Sequence, residues 1–196
     1  MFNRLTFDPV ETIDKAKAGD KDALSRLWSL LNPGLVRYLA SLGCKFAEDI
    51  ASESWISLAN VLPRFQGELP SLQGLLFQIA RARLYDQLRK DYRRPKQVLK
   101  VVDESTIREQ VYPGPESFLD ESSSQILEWL SQIPTSQAEV VSLRVIVGMS
   151  HFEISQIIGK SQGAVRILFF RGLENLEKVI NGEKKPKLQK KFFSSA

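Results

Sequence analysis

The stretch SHFEISQIIGKSQGAVRILFFRGLENL, which runs from Ser150 to Leu176, decides the fold expected for the second half of the chain. Two segments with apolar residues at helical spacing meet at Gly159, and Ser150 and Ser161 stand directly before them. Serine accepts hydrogen bonds from the first free amides of a helix, and glycine adopts the left-handed backbone of a tight interhelical turn. The stretch therefore predicts a helix-turn-helix unit.

The second helix of this unit has two different sides. At about 100° per residue, one side is apolar or small and predicts a core contact. It comprises Val165, Leu168, Phe169, Gly172, Leu173 and Leu176. The other side comprises Gly163, Ile167, Phe170, Arg171 and Glu174, with Arg166 at its edge. In DNA recognition this second side enters the major groove, where Ile167 and Phe170 contact thymine methyl groups. The alternatives are that both residues face another protein or pack on the rest of the chain, and that the unit is a plain helical hairpin.

Composition narrows the chemistry that the chain can perform. Its 196 residues carry a formal net charge of +4, with a pI of about 9.2, which favours a polyanionic partner. With a single cysteine, Cys44, and a single histidine, His151, the sequence excludes an intrachain disulfide, a thiolate zinc site and a histidine-rich metal site. We therefore expect no catalytic residues, no metal and no cofactor. The charged N-terminus and the absence of any run of about 18 apolar residues predict a cytoplasmic protein without membrane insertion.

The order of apolar and polar segments predicts an all-α chain with two small helical domains joined by a linker. We place the first domain at residues 1–95, a linker that contains Pro113, Gly114 and Pro115 at 96–121, the helix-turn-helix domain at 122–181, and a basic, disordered tail at 182–196.

Capping and stop signals set the expected helix boundaries. In the first domain we expect helices from Asp20, as the cap, to about Leu42, from about Ala47 to Phe65, and from Ser71, as the cap, to Pro95. The second of these helices is expected to bury Ile50, Ser54, Ile56 to Leu58 and Val61. In the second domain we expect a helix in SSSQILEWLSQI and another that begins at Pro134, is capped by Thr135 or Ser136, and stops at Gly148.

The third helix of the first domain combines basic residues with Tyr85 and Tyr92. This combination suits a nucleic-acid backbone with stacked bases, and the alternative is a solvated charged face. The basic residues are Arg81, Arg83, Arg89, Lys90, Arg93, Arg94 and Lys96.

The second helix of the first domain has an acidic start, with Glu48, Asp49 and Glu53. These carboxylates either complement the helix dipole or contact a basic partner protein. Trp55 beside them is either an anchor for a protein contact or a core residue.

In their order along the chain, these segments resemble the bacterial sigma factors of the sigma-70 family, in their small two-domain, extracytoplasmic-function form. The first domain resembles the family's domain two and the second its domain four. The segments that carry the resemblance are DALSRLWSLLNPGLVRYLASLG, AEDIASESWISLANVLPRFQGE, SLQGLLFQIARARLYDQLRK and IPTSQAEVVSLRVIVGMSHFEISQIIGKSQGAVRILFFRGLENL. No single motif is decisive, but the ordered succession is specific.

The resemblance implies a protein that binds core RNA polymerase and directs it to promoter DNA, without enzymatic activity of its own. Domain two would contact the clamp helices of the β′ subunit and open the −10 element. Domain four would sit on the β flap and read the −35 element. An anti-sigma factor is left open as a further partner. The alternatives are a stand-alone helix-turn-helix regulator and a protein that sequesters polymerase or another sigma factor.

Site residues follow from the resemblance together with the charge pattern. Polymerase binding is assigned to Asp49, Ser52, Glu53 and Trp55, and the serine replaces a usual glutamine. Binding of the −10 element is assigned to Phe65, Gln66, Gly67, Arg81, Arg83, Arg89, Lys90, Arg93 and Arg94. The first three belong to FQGELPS, which matches the loop that captures a flipped base. Binding of the −35 element is assigned to Ser161, Gln162, Ala164, Arg166, Ile167, Phe170 and Arg171.

The chain departs from the family at several positions. Leu75 and Ala82 replace a frequent tryptophan and a frequent asparagine. In the recognition helix, Ala164, Ile167 and Leu168 replace polar residues. The expected polymerase-binding role survives these changes, whereas the family's promoter sequence preference does not carry over.

Overall fold

A computed structural model describes residues 8–93 and 121–182, which we call the N-terminal unit and the C-terminal unit. Every regular element within them is a helix, as the sequence predicts. The N-terminal unit holds α1 (Pro9–Lys17), α2 (Lys21–Ser41), α3 (Ala47–Val61), a 3₁₀ turn (Leu62–Arg64) and α4 (Leu69–Arg93). The C-terminal unit holds α5 (Glu121–Ser131), α6 (Thr135–Val141), a π-helical turn (Ser142–Ile146), α7 (His151–Ile158) and α8 (Gln162–Ile180). Residues 96–120 of the predicted linker and residues 183–196 of the predicted tail lie outside the described residues.

The helix-turn-helix connection has the predicted local geometry. α7 begins with a reciprocal capping box, in which the Ser150 hydroxyl accepts from the Glu153 amide and the Glu153 carboxylate accepts from the Ser150 amide. Gly159 takes the left-handed conformation, with φ of +67°, and ends α7. Ser161 then caps α8 by accepting from the Ala164 amide. These local interactions fix the angle at which α8 leaves the turn.

The start of the N-terminal unit agrees with the sequence in part. Asp20 caps α2 as predicted, and its carboxylate accepts a hydrogen bond from the Ala23 amide at 2.7 Å. α1 has no counterpart among the predicted helices, because it is short and buries little apolar surface. Its Asp8 cap and the proline at its first position are nevertheless ordinary start signals.

Expectations for α3 and α4 are wrong in three respects. α4 begins at Leu69 rather than at Ser71, because Pro70 fits a first helical turn, where its missing amide has no partner to lose. α3 ends at Val61 and passes into the 3₁₀ turn, so it does not extend to Phe65. Ile56 and Val61 were expected to be buried, but they are 64% and 44% exposed. The buried side of α3 is narrower than predicted.

The expectation for the cap of α6 is also wrong. The helix begins at Thr135 with Pro134 before it, and no side chain makes a capping hydrogen bond, so neither Thr135 nor Ser136 has that role. The helix continues through the π-helical turn and ends before Gly148, whose φ of +86° fits the predicted stop.

The two units share one apolar core. α4 packs on α7, and α2 packs on the π-helical turn. Buried residues from both units contact one another in a single cluster, among them Leu35, Leu39, Leu76, Phe77 and Leu84 from the first, and Val140, Leu143, Ile154, Ile157 and Val165 from the second. None of the helices described here is long and apolar enough to cross a membrane.

A buried carboxylate lies within this shared core. The side chain of Glu139, on α6, is 4% exposed and accepts hydrogen bonds from Tyr38, Arg81 and Tyr85. A buried charge is tolerated when it is paired and hydrogen-bonded, and here the N-terminal unit supplies both conditions. Burial, reinforced by Glu139, raises the pKa of Tyr85 to about 12 and the pKa of Tyr38 well above its ordinary value.

Replacing Gly172 by alanine should destabilise the C-terminal unit. A Cβ at this position would lie 2.7 Å from Val141 Cγ2, so α8 would have to move away from α6. We expect the free energy of unfolding to fall by about 1–3 kcal/mol, measured by urea denaturation. Gly74→Ala is the matched control, because its Cβ would meet nothing within 4 Å. This control should raise the stability by about 0.5–1 kcal/mol, and a loss of similar size in both variants would contradict the packing argument.

Replacing Tyr85 by phenylalanine should reduce the sensitivity of the fold to alkaline pH. Because the folded state raises the pKa of Tyr85 to about 12, the folded chain keeps a proton above pH ~10 that the unfolded chain loses. Stability from this group is therefore complete below pH ~10 and falls as the pH rises toward 12. Between about pH 8.5 and 11 we expect the wild-type chain to lose about 1 kcal/mol more than Tyr85→Phe in urea denaturation. Parallel losses would contradict the prediction.

Candidate nucleic-acid interface

The two sides of α8 are separated almost as the helical wheel predicts. Gly163, Arg166, Arg171 and Glu174 are exposed, as are Ile167 (54%) and Phe170 (66%). On the opposite side Val165 and Gly172 are buried, and Leu168, Phe169 and Leu176 are half-buried. The Phe169 ring packs against His151, with ring centroids 5.5 Å apart. Leu173 is the exception, since it was expected in the core and is 38% exposed.

The N-terminus of α8 is open to solvent. Ser161 and Gln162 are exposed, and Ala164 is half-buried. Free backbone amides and the helix dipole make such an N-terminus favourable for a phosphate group. The polar and basic groups predicted to meet DNA therefore lie on one accessible end and side of this helix.

The basic residues of α4 fall into two groups that the sequence did not distinguish. Arg81 pairs with the buried Glu139 at 2.8 Å, and Arg83 pairs with Glu53 of α3 at 2.6 Å. By contrast, Arg89 is exposed and pairs with its neighbour Asp86 at 3.0 Å, and Lys90 is exposed as well. The side chain of Arg93 and the whole of Arg94 lie outside the described residues. Only the fold separates the arginines that hold helices together from those that face solvent.

The predicted base-capturing loop is tightly folded around a glycine. Gln66 and Gly67 are exposed, whereas Phe65 is half-buried and packs against the core. Gly67 has φ of +154°, and a Cβ there would lie 3.0 Å from Phe65 Cζ and 3.1 Å from Ser71 Cβ. No side chain larger than glycine's fits this position without moving its neighbours. The Phe65 ring thus lies beneath the loop rather than projecting from it.

The acidic side of α3 includes an apolar residue that the sequence did not single out for binding. Asp49, Ser52 and Glu53 are exposed, and Ile56 lies on the same side at helical spacing, 64% exposed. Ile56 could have been found from this spacing, but it was assigned to the core. The Trp55 side chain is directed toward α2, where its indole N–H donates to Asn32 Oδ1 at 3.0 Å. No part of the described chain gathers three metal-ligating side chains.

Two solved structures share this fold. CnrH, in complex with the cytosolic domain of CnrY, is 18% identical with a TM-score of 0.64, over 90% of this chain and 99% of that one. The sigma factor RpoE, in complex with the anti-sigma factor NepR from Bartonella quintana, is 23% identical with a TM-score of 0.63, over 84% of this chain and 99% of that one. At these identities the similarity is one of fold.

Sequence relatives extend the similarity to a family. The family model for sigma-70, region 4 matches residues 123–176, which include the helix-turn-helix unit. The ECF RNA polymerase sigma factor ShbA from Streptomyces griseus subsp. griseus is 30% identical over 173 residues, which cover 84% of this chain and 91% of ShbA. The ECF RNA polymerase sigma factor SigD from Mycobacterium tuberculosis is 30% identical over 84% of this chain and 80% of SigD. The chain therefore belongs to the ECF RNA polymerase sigma factors of the sigma-70 family and has a sigma factor's function in transcription initiation.

Proposed function

We propose that the chain binds core RNA polymerase and directs it to specific promoters, with the N-terminal unit opening the −10 element and the C-terminal unit reading the −35 element. The observation that carries this proposal is the exposed side of α8, which follows a capped helix-turn-helix connection and bears two arginines beside two large apolar residues. A recognition helix of this kind is expected to enter the major groove. The chain itself performs no catalysis in this role.

The proposed polymerase contact is the exposed side of α3. Asp49 supplies negative charge, Glu53 adds a carboxylate that is paired with Arg83, and Ile56 supplies an apolar centre that a partner can cover. Clamp helices of the β′ subunit are the expected partner, as the family resemblance implies. Trp55 donates a hydrogen bond to Asn32 of α2 and thereby holds α3 against α2, so we assign it a positioning role. An anti-sigma factor as a second partner stays a prediction.

The proposed −10 interface combines the loop at residues 65–67 with the exposed end of α4. Arg89 and Lys90 suit DNA phosphates, because both are exposed on a helix that leaves the core. Gln66 and the backbone around Gly67 are accessible to an unstacked base. Arg83 forms an ion pair with Glu53. In this proposal Arg83 therefore reaches DNA only if that ion pair breaks.

The proposed −35 interface is the exposed side of α8 with its N-terminus. Arg166 and Arg171 suit phosphates or guanine edges, and Ile167 and Phe170 suit thymine methyl groups. Because Ile167 and Phe170 make this side of α8 apolar, we expect a preference for promoters with thymines in the −35 element.

Replacing Phe170 by alanine should change promoter preference more than polymerase binding. With reconstituted core polymerase, we expect run-off transcription to fall about tenfold on promoters with −35 thymines and to change little where cytosine replaces them, because an apolar base contact is lost. Ile180→Ala is the matched control, since Ile180 is 50% exposed at the far end of the same helix. Equal effects on both promoter sets would contradict the reading role of Phe170.

The same assay tests the proposed function as a whole. Promoter-specific run-off product must depend on the addition of the chain to core polymerase. Binding to core polymerase without product would favour a sequestering protein. Tight binding to promoter duplex in the absence of polymerase would favour a stand-alone regulator.

Replacing Arg89 or Lys90 by alanine should weaken DNA binding regardless of sequence. Each lost phosphate contact should lower the slope of log affinity against log salt concentration by about one, because fewer counterions are released. The measurement is fluorescence anisotropy of labelled promoter DNA with the polymerase holoenzyme at several salt concentrations. Lys15→Ala serves as a control, since Lys15 lies on α1 in a surface pair with Glu11. An unchanged slope in the α4 variants would contradict the assignment.

A further inference from the structure

Three aromatic rings connect the two helices of the helix-turn-helix unit. His151 is the first residue of α7, and its ring centroid lies 5.5 Å from that of Phe169, with the ring planes inclined at 68°. The centroids of the Phe169 and Phe170 rings lie 5.9 Å apart, with the planes inclined at 61°. Both are edge-to-face contacts, in which the positive edge of one ring meets the negative face of the next. The rings therefore form a continuous chain from α7 to the exposed side of α8.

Phe169, at the centre of this chain, is held on several sides. It is half-buried and packs against the shared core and against a second apolar cluster, which includes Leu130 and Val141. The His151 ring contacts it from α7. Interiors are close-packed, so a ring enclosed in this way changes its orientation only by displacing its neighbours.

The contact of His151 with Phe169 is made by the ring itself. His151 Nε2 is buried, and no hydrogen-bond partner for it occurs among the residues that the structure describes. A buried polar atom without a partner contributes no stability. The imidazole therefore acts on Phe169 as an aromatic ring, and a phenyl ring in its place should do the same.

The contact between Phe169 and Phe170 is unusual because the two residues are consecutive on one helix. Neighbouring side chains of a helix diverge by about 100° and do not normally face each other. The Phe170 ring leans toward Phe169, since the two centroids are 5.9 Å apart. At 66% exposure, Phe170 has little else to restrict its rotamer. The edge of Phe169 thus orients a ring on the side of α8 that is proposed to read DNA.

We propose that Phe169 is a positioning residue for promoter recognition, which holds the Phe170 ring in the orientation that contacts a thymine methyl group, and that His151 supports Phe169 from α7. This inference rests on the proposed function, because it takes Phe170 as a reader of the −35 element. It adds that a half-buried residue and the first residue of the preceding helix set how sharply this element is read. A ring that is oriented before binding loses less conformational freedom when it meets the base.

Uracil in place of thymine isolates this contact, because uracil lacks only the C5-methyl group that thymine presents in the major groove. The measurement is the affinity of the polymerase holoenzyme for labelled promoter DNA in which each −35 thymine is replaced in turn by deoxyuridine. At one or more positions we expect the wild-type chain to prefer thymine about fourfold, the effect of one buried methyl group. Phe169→Leu keeps an apolar side chain but removes the ring, and should lower this preference to about twofold or less.

Phe77→Leu is the matched control for loss of a buried ring. Phe77 is fully buried in the N-terminal unit, where its ring packs on Tyr38. This variant loses stability in urea denaturation but should keep the thymine preference of the wild-type chain. Circular dichroism verifies that both variants are folded. A merely structural role of Phe169 would weaken binding to thymine and uracil promoters alike, and that result would overturn the proposal.

A double-mutant cycle shows whether Phe169 acts through Phe170. In the Phe170→Ala background there is no reading ring to orient, so the further change Phe169→Leu should leave the ratio of the two affinities unchanged. If Phe169→Leu lowers this ratio equally in both backgrounds, Phe169 acts independently of Phe170 and the positioning role is wrong.

Two variants of His151 test the ring chain without a change in α8. His151→Leu should lower the thymine preference, whereas His151→Phe keeps a ring and should retain it. Loss of the preference in both variants, or in neither, would overturn the role assigned to His151.

The outcomes separate the positioning role from the proposed function. If the wild-type chain gives no run-off product with core polymerase, the proposed function fails. If it gives product but binds thymine and uracil promoters equally, the methyl contact and its positioning are wrong while the role in initiation stands. If the wild-type preference persists in Phe169→Leu, the positioning role alone is wrong.

Discussion

Burial of the Glu139 carboxylate is the constraint on which the arrangement of the helices depends. An ionised carboxylate in a protein interior needs both a counter-charge and hydrogen-bond donors. Because water does not reach it there, the protein must supply both. Tyr38 comes from α2, and Arg81 and Tyr85 come from α4. These three donors meet only when α6 lies against both helices. The apolar core around them supplies most of the free energy, but the carboxylate specifies which arrangement of the two units is acceptable.

Recognition and stability use opposite sides of the same helices. On α8, Gly172 lets the backbone approach Val141 closely, while Ile167 and Phe170 face outward. On α3, Ile50 and Leu58 enter the core and leave an acidic side with Ile56 exposed. Exposed apolar side chains are costly to keep in water, and they are useful where a partner covers them. The membership in the ECF sigma factors and the proposed contacts agree with this division of each helix.

Local chemistry made much of the C-terminal unit predictable. The Ser150 capping box, the left-handed Gly159 and the Ser161 cap act within a few residues, so their interactions are encoded in short stretches of sequence. The division of α8 into two sides was predictable for the same reason, except at Leu173. The start of α4 was misplaced because Ser71 and Pro70 offer competing start signals, and the burial of Ile56 was overestimated because apolar character alone does not say how wide a core contact is.

The sequence by itself determined the all-α class, the helix-turn-helix unit and the list of basic residues that could meet DNA. Helix periodicity, capping and turn formation depend on near neighbours, which the sequence displays directly. The tertiary structure alone decided what three arginines of α4 do: Arg81 pairs with Glu139 and Arg83 with Glu53, while Arg89 stays exposed. Arg81 and Glu139 are 58 positions apart, so their pairing depends on how the two units pack. The sequence shows which side chains are charged. The packing of helices that are distant in sequence decides which ion-pair partner each charged side chain has and how far it is exposed to solvent.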